Sequence, residues 1–167
     1  MKLSRNTGIV LLVLINIALD QISKVLVRAY IRLNEVIELI GDAFILTNVE
    51  NKGAFLGMWS DMSGALRLIL LILLPVGVLG YLLYYIISTK SLDKLSTIAL
   101  SCIAGGGIAN VFDRIVFQKV TDFLFIDLGG VFKTGIFNVA DMSVTFGLIV
   151  LVYTWFILPK KNQSKAS

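Results

Sequence analysis

The chain has 167 residues, of which 57% are hydrophobic and 16% charged, and its formal net charge is +4. Soluble domains average about 45–50% apolar and about 25% charged residues, and the apolar excess here lies in long runs, which is typical of a membrane protein. No basic face is visible, so nucleic acid is excluded as a partner. The absence of histidine excludes histidine-dependent catalysis, and the single cysteine, Cys102, excludes an internal disulfide.

The apolar runs predict four membrane spans, at about 7–28, 65–87, 95–115 and 138–158, each near the roughly 20 residues that cross a bilayer. We therefore expect residues 1–167 to form a single integral membrane domain of the all-α class, a bundle of four transmembrane helices. The first run begins like a signal peptide, but it lacks a small-residue cleavage site before Asp20, which favours an uncleaved span.

Two longer loops are predicted at about 29–64 and 116–136. The first has interleaved apolar and polar residues around Gly41-Asp42, which predicts a small β-containing region with a turn there. This loop is too long for a simple connector, so we expect it to rest on the membrane and help enclose a site. The loops contain most of the acidic residues. The opposite ends of the spans carry one acid, Asp93, and seven basic residues: Lys2, Arg5, Lys90, Lys94, Lys160, Lys161 and Lys165.

This distribution of charge predicts the orientation of the chain. Because basic residues accumulate on the cytoplasmic side of membrane proteins, both termini should be cytoplasmic and the two long loops should be extracytoplasmic.

Two carboxylates stand at the edges of apolar runs. Asp122 follows the third span and Asp141 lies just inside the fourth, so a helical hairpin would return both to the same membrane surface. Carboxylates at such positions are costly and usually functional. Two that lie close together share a proton, so one can act as a general base on water while the other polarises a carbonyl group. We therefore predict a proton-sharing pair that activates water.

Several polar residues lie near these acids. Asn110, Asp113 and Arg114 share one helical stripe at the end of the third span. Asp113 and Arg114 could form an ion pair or pin the helix end. Asn138 could be the N-cap of the fourth span, with Asp141 bonding back to it, and this structural reading of Asp141 remains open beside the catalytic one.

Three further features have structural interpretations. Asp20 and Lys24 are four residues apart, so they can pair on one face of the first span. The small-residue run Gly105–Gly107 lies within a span, which favours close helix packing over phosphate binding. Cys102 lies inside an apolar run, where a buried thiol behaves as a small apolar side chain.

Five short motifs follow one another along the chain. They are D-Q-I-S-K at 20–24, N-K-G-A at 51–54, N-V-F-D-R at 110–114, V-T-D-F at 120–123 and F-N-V-A-D at 137–141. On a scaffold of four spans, this series resembles the lipoprotein signal peptidase family (signal peptidase II), the membrane aspartyl peptidases of bacteria.

The resemblance implies that Asp122 and Asp141 are the catalytic pair and that neither a cofactor nor a metal is needed. The implied substrate is a lipidated prolipoprotein, cut just before its diacylglyceryl-cysteine at the outer face of the bacterial cytoplasmic membrane. Membrane lipid and inhibitory cyclic peptides of the globomycin type are the other implied partners. Asn51, Asn110, Arg114 and Asn138 match positions that support the site or contact substrate, and Asp20, Lys24, Gly53 and Asp113 match positions that shape the fold.

The chain departs from the family pattern at four positions. Ala109 stands where glycine is usual, Phe55 and Leu56 replace a small residue followed by an aromatic one, and Met142 replaces serine or alanine. These departures bear on the shape of the pocket and on inhibitor sensitivity, but they remove no carboxylate or amide of the site.

Two other functions fit the acidic residues. Asp20, Lys24, Asp113 and Asp141 could relay charge in a small ion or proton carrier. Asp122, Asp127 and Asp141 could instead hold a divalent cation, because carboxylate oxygens are suitable ligands for one.

Overall fold

The structure is a computed structural model and describes residues 4–53 and 63–157. In these ranges, four helices are long and apolar enough to cross a membrane. They are α1 (Arg5–Tyr30), α2 (Gly64–Ser88), α3 (Lys94–Phe117) and α4 (Val139–Val152), which continues as a π-helical turn (Tyr153–Ile157). The predicted helical membrane bundle with a small β-containing region is confirmed.

A three-stranded antiparallel sheet joins the two predicted loops. It comprises β1 (Val36–Ile40), β2 (Phe44–Asn51) and β3 (Val120–Ile126), in the order β1-β2-β3. The predicted turn at Gly41-Asp42 is present, and Gly41 adopts a φ of 49°, which glycine tolerates without strain. Strand β3 was not predicted. It pairs Val120 with Asn51, so the sheet brings the end of the first loop to the start of the second.

Helix α3 is the centre of the bundle, and its glycine run explains how three helices reach it. A Cβ atom at Gly105 would lie 2.7 Å from Asn16 Cβ of α1, and one at Gly107 would lie 2.6 Å from Leu79 Cδ2 of α2. At Gly106 a Cβ atom would overlap the carbonyl oxygen of Ala140 in α4. The packing interpretation of this run is therefore confirmed, since each glycine admits a different helix.

This packing predicts that Gly106→Ala destabilises the protein. The atom in the way is a backbone carbonyl, which cannot rotate aside, so overpacking should cost about 1–3 kcal/mol. The matched control is Gly77→Ala in α2, where a Cβ atom meets nothing within 4 Å and alanine favours the helix. Thermal unfolding in detergent measures both changes, and equal midpoints for the two variants would contradict the packing.

Helix α2 is irregular just before its proline. Residues Ile69–Leu73 form a π-helical turn, and Pro75 lies at the start of the regular segment Leu74–Ser88. Proline lacks an amide hydrogen and its ring crowds the preceding turn, so the wider turn lies where a regular helix would be disturbed. The π-helical turn contributes Leu70 and Leu71 to the pocket described below.

Candidate active site

Asp122 lies on β3 and is almost completely buried, at 4% exposure. Its Oδ2 accepts a hydrogen bond from Asn51 Nδ2 at 2.9 Å, and its Oδ1 accepts one from Asn138 Nδ2 at 2.6 Å. Asn51 reaches it because β2 pairs with β3. Asn138 reaches it because Phe137 exchanges backbone hydrogen bonds with Leu124, which extends the sheet to the start of α4.

Asp141 lies in the first turn of α4 and forms a capping box with Asn138. The Asp141 amide donates to Asn138 Oδ1 at 3.0 Å, and Asp141 Oδ2 accepts from the Asn138 amide at 3.1 Å. The predicted helix cap is therefore confirmed. Asp141 Oδ1 also accepts a hydrogen bond from Asn110 Nδ2 at 2.9 Å, so the same carboxylate both caps the helix and faces a neighbouring helix.

Asn138 connects the two carboxylates. Its side-chain amide donates to Asp122 and its backbone amide donates to Asp141, while the residue itself is fully buried. Both acids line one cavity of about 480 Å³. The sequence pattern predicted that a hairpin would return them to one surface, and the structure brings them together there.

The cavity has a polar side and an apolar side. Its polar groups are the two acids together with Asn51, Asn110, Arg114 and Asn138. Helix α2 contributes apolar lining residues, which are Leu70, Leu71, Leu74, Pro75, Val78 and Leu79. The cavity can therefore receive a group that is polar on one side and apolar on the other.

The pKa of Asp122 is raised to about 6, mainly because the buried ionised form loses the solvation of water. The nearby charge of Asp141 also contributes to this rise in pKa, while the hydrogen bonds from Asn51 and Asn138 favour the ionised form and oppose it. Burial is the largest of these effects. Asp122 therefore holds a proton well above the pH at which an ordinary aspartate loses it.

A buried charge cluster lies directly behind the pocket. Lys24 Nζ is 2.7 Å from Asp20 Oδ2 and 2.8 Å from Asp113 Oδ2, and all three side chains are fully buried. Lys24 also donates to Asn110 Oδ1 at 2.8 Å. Because its oxygen faces the lysine, the Asn110 amide must present its nitrogen to Asp141. The predicted pairing of Asp20 with Lys24 is confirmed.

Of the two interpretations of Asp113 and Arg114, the ion pair between them is not formed, whereas Arg114 does pin the end of α3. Asp113 turns towards α1, where it pairs with Lys24. Arg114 donates instead to the carbonyl oxygens of Asn110 and Gly53, each at 3.2 Å. Residues i and i+1 of a helix point in directions about 100° apart, so the two side chains face different neighbours.

Gln21 and Ala140 also belong to the charge cluster, although sequence reasoning assigned them no role. Gln21 Nε2 donates to Asp113 Oδ1 at 2.8 Å, and the amide of Ala140 donates to Asp20 Oδ1 at 2.8 Å. The position of Gln21 next to Asp20 in the sequence could have indicated that Gln21 belongs to this cluster. The contact of Ala140 could not be predicted from the sequence, because its donor is a backbone amide, which every residue except proline carries.

The alternative of a divalent-cation site built from Asp122, Asp127 and Asp141 is not supported in the described residues. Asp127 lies beyond the far end of β3, where it accepts from the amide of Gly130 and lies 3.4 Å from Lys133 Nζ. In the described parts of the chain, no group of three histidine, cysteine or acidic residues is placed to hold a metal ion.

The remaining positions noted in the sequence are Cys102 and the four departures from the family pattern. Cys102 is buried, as expected of a small apolar side chain. Ala109 is fully buried in α3, whereas Met142 is half exposed. Phe55 and Leu56 lie outside the described residues.

The fold and the site together define a polytopic membrane protein with two carboxylates in a partly apolar pocket. The family model for signal peptidase (SPase) II matches residues 12–157. The chain belongs to this family of bacterial membrane peptidases. The family places it among peptide hydrolases rather than among ion or proton carriers.

Individual relatives agree with the family match. The chain is 37% identical to the lipoprotein signal peptidase of Brevibacillus brevis over 147 residues, which covers 88% of this chain and 93% of the relative. It is 33% identical to that of Borrelia duttonii, with 98% and 99% coverage. A solved bacterial membrane enzyme has the same fold, with a TM-score of 0.79, 23% identity and 93% coverage of both chains.

Proposed function

We propose that the protein removes signal peptides from diacylglyceryl-modified prolipoproteins, by cutting the peptide bond just before the lipidated cysteine. The observation that supports this most is the pair of carboxylates held by Asn138 in a pocket with an apolar wall. Family membership supports the same conclusion, and the relatives in Brevibacillus and Borrelia are themselves lipoprotein signal peptidases.

Asp122 and Asp141 act as an aspartyl pair that holds one proton. The ionised carboxylate takes a proton from a water molecule as the water oxygen attacks the scissile carbonyl carbon. The protonated carboxyl gives its proton to the carbonyl oxygen, which forms a tetrahedral diol. When the carbon–nitrogen bond breaks, the carboxyl that took the water proton gives it to the leaving nitrogen. One hydroxyl of the diol returns its proton to the other carboxylate as the carbonyl re-forms, so the pair again holds one proton. The reaction needs no metal and no cofactor.

The neighbouring polar residues orient the acids and the substrate. Asn51, Asn110 and Asn138 hold the carboxylates by hydrogen bonds. Arg114 lines the same pocket, and its buried Nε has no hydrogen-bond partner in residues 4–53 and 63–157. A buried donor without a partner is costly, so a substrate carbonyl oxygen would satisfy it.

Four residues have a supporting role in this proposal. Lys24 pairs with Asp20 and Asp113 and fixes the Asn110 amide, and Gly53 accepts from Arg114 through its carbonyl oxygen. The apolar residues of α2 would contact the lipid chains or the apolar signal peptide. Cyclic peptides of the globomycin type would inhibit the enzyme by filling the same pocket.

We place the protein in the bacterial cytoplasmic membrane with both termini in the cytoplasm and the acid pair at the outer face. The basic residues at the opposite end of the bundle support this orientation, because positive charge collects on the cytoplasmic side. Membrane lipid then surrounds the exposed apolar faces of the helices.

The mass of the product tests the proposed cleavage site. Purified protein in detergent should convert a diacylglyceryl-modified peptide into a free signal peptide and a fragment that begins with the lipidated cysteine. A chelator should leave the rate unchanged. Cleavage at another bond, or equal cleavage of the same peptide without the lipid, would contradict the proposed specificity.

The raised pKa of Asp122 predicts a pH dependence of activity. The pair needs one proton, and it loses the last one as pH rises through the raised value, which lies at about 6 for Asp122. We therefore expect kcat/KM to fall on the alkaline side with an apparent pKa near 6. A profile measured from pH 4 to 9 with constant ionic strength checks this, and a flat profile between pH 5 and 8 would contradict it.

A further inference from the structure

A second cavity opens at the end of the bundle opposite the acid pair, between the first turns of α1 and α3. Its volume is about 630 Å³, so it is larger than the pocket that contains the acids. The basic residues Arg5 and Lys94 line it, and its other walls include Gly8, Leu12, Ile98 and Ser101. We refer to it as the inner crevice. The proposed hydrolysis does not use it.

The inner crevice extends into the membrane-spanning part of the bundle. Helices α1 and α3 both begin at this end, and the lining residues run from Arg5 to Leu12 and from Lys94 to Ser101. At a rise of about 1.5 Å per residue, seven residues correspond to a depth of roughly 10 Å. The crevice therefore has a charged mouth and a mostly apolar interior.

The mouth of the inner crevice is positively charged. Arg5 is held at the end of α2, where it donates to the carbonyl oxygens of Ile86 at 2.8 Å, Thr89 at 3.0 Å and Ile87 at 3.5 Å, and no carboxylate pairs with it in the described residues. Lys94 is exposed and forms no ion pair within the described part of the chain.

Few acidic residues lie near this mouth. The first turns of α1 and α3 contain none. The neighbouring acid, Asp93, is turned towards its own helix, where its carboxylate accepts from the amide of Ser96 at 2.9 Å. An anion at the mouth would therefore meet two cations.

We propose that the inner crevice binds an anionic phospholipid, with its phosphate between Arg5 and Lys94 and an acyl chain along the apolar walls. Basic pockets between transmembrane helices at the membrane surface are suited to anionic head groups. The apolar depth favours a whole lipid over a free phosphate ion, because an ion would leave the walls uncovered.

Native mass spectrometry of the full chain tests this with phosphatidylglycerol and phosphatidylcholine that carry identical acyl chains. We expect tighter binding of phosphatidylglycerol. Arg5→Gln and Lys94→Gln should each weaken that binding roughly fivefold, with little effect on phosphatidylcholine. The matched control is Lys90→Gln, an exposed basic residue at the same end that does not line the crevice. Equal affinity for the two lipids, or an equal loss in the control, would overturn the proposal.

A second pair of variants tests the apolar depth without altering charge. Gly8 lines the crevice and a Cβ atom there meets nothing within 4 Å, so we expect the side chain of Gly8→Leu to occupy the crevice. It should reduce phosphatidylglycerol binding at least tenfold, whereas Gly77→Leu, which is equally open but lies on α2, should not. Unchanged binding by Gly8→Leu would overturn the proposal, as would effective competition by soluble glycerol phosphate, which would indicate a site for the head group alone.

Discussion

Replacement of either Asp122 or Asp141 by asparagine should lower the rate of lipoprotein cleavage by at least about 10³-fold, because each variant loses a proton donor or acceptor of the pair. Asparagine has nearly the same shape as aspartate and keeps one oxygen as a hydrogen-bond acceptor. Each carboxylate accepts two hydrogen bonds, so the asparagine oxygen can keep one of them while the other is lost. The rate of release of signal peptide from a diacylglyceryl-modified substrate measures the loss.

The control for this pair is Asp127→Asn. Asp127 lies just beyond β3, away from the pocket, so its variant should retain full activity. Thermal unfolding should show that Asp122→Asn is folded. At pH 8 it should be no less stable than the parent, because the parent must there keep an ionised carboxylate whose folded pKa is raised. Turnover above a few per cent in either pocket variant would contradict a shared catalytic role.

Lys24→Met should destabilise the protein by about 3–5 kcal/mol, because it leaves the buried carboxylates of Asp20 and Asp113 without their cation. The variant also removes the donor to Asn110 Oδ1, so the amide that holds Asp141 loses its fixed orientation. Activity should therefore fall together with stability. Chemical or thermal unfolding in detergent gives the first effect, and the cleavage assay gives the second.

Two further variants test whether the loss of stability in Lys24→Met comes from leaving buried charges unpaired. The triple variant Asp20→Asn, Lys24→Met, Asp113→Asn removes all three charges and should recover most of the lost stability. Lys119→Met breaks a surface pair with Glu50, where both side chains are about one third exposed, and should cost less than about 1 kcal/mol. A stable Lys24→Met protein, or no recovery in the triple variant, would contradict the assignment of this cluster.

Much of the fold follows from local patterns. Four apolar runs predicted four helices, and the glycine run in α3 predicted the close packing that the structure shows at Gly105–Gly107. Strand β3 was not predicted because its partner β2 lies about 70 residues earlier in the chain. The pairing of Val120 with Asn51 depends on that distant contact, which no local period reveals.

The candidate site could be predicted in its residues but not in all its contacts. The helical stripe placed Asn110, Asp113 and Arg114 at the same end of α3, but it could not tell which neighbour each one would face. Asp113 points to Lys24 of α1, and Arg114 points to the carbonyl of Gly53. Such choices depend on how whole helices pack. The cap formed by Asn138 and Asp141 was predictable because its contacts span only three residues.

A titration of the Asp122 carboxyl carbon by NMR, in the parent protein and in Asp141→Asn, tests most directly whether the two acids share a proton. The account predicts a pKa near 6 for Asp122 in the parent. In the variant this pKa should fall but remain above the ordinary aspartate value of 3.8, because the charge of Asp141 is gone while burial persists. An Asp122 pKa near 3.8 in the parent, or one that does not move in the variant, would contradict the account.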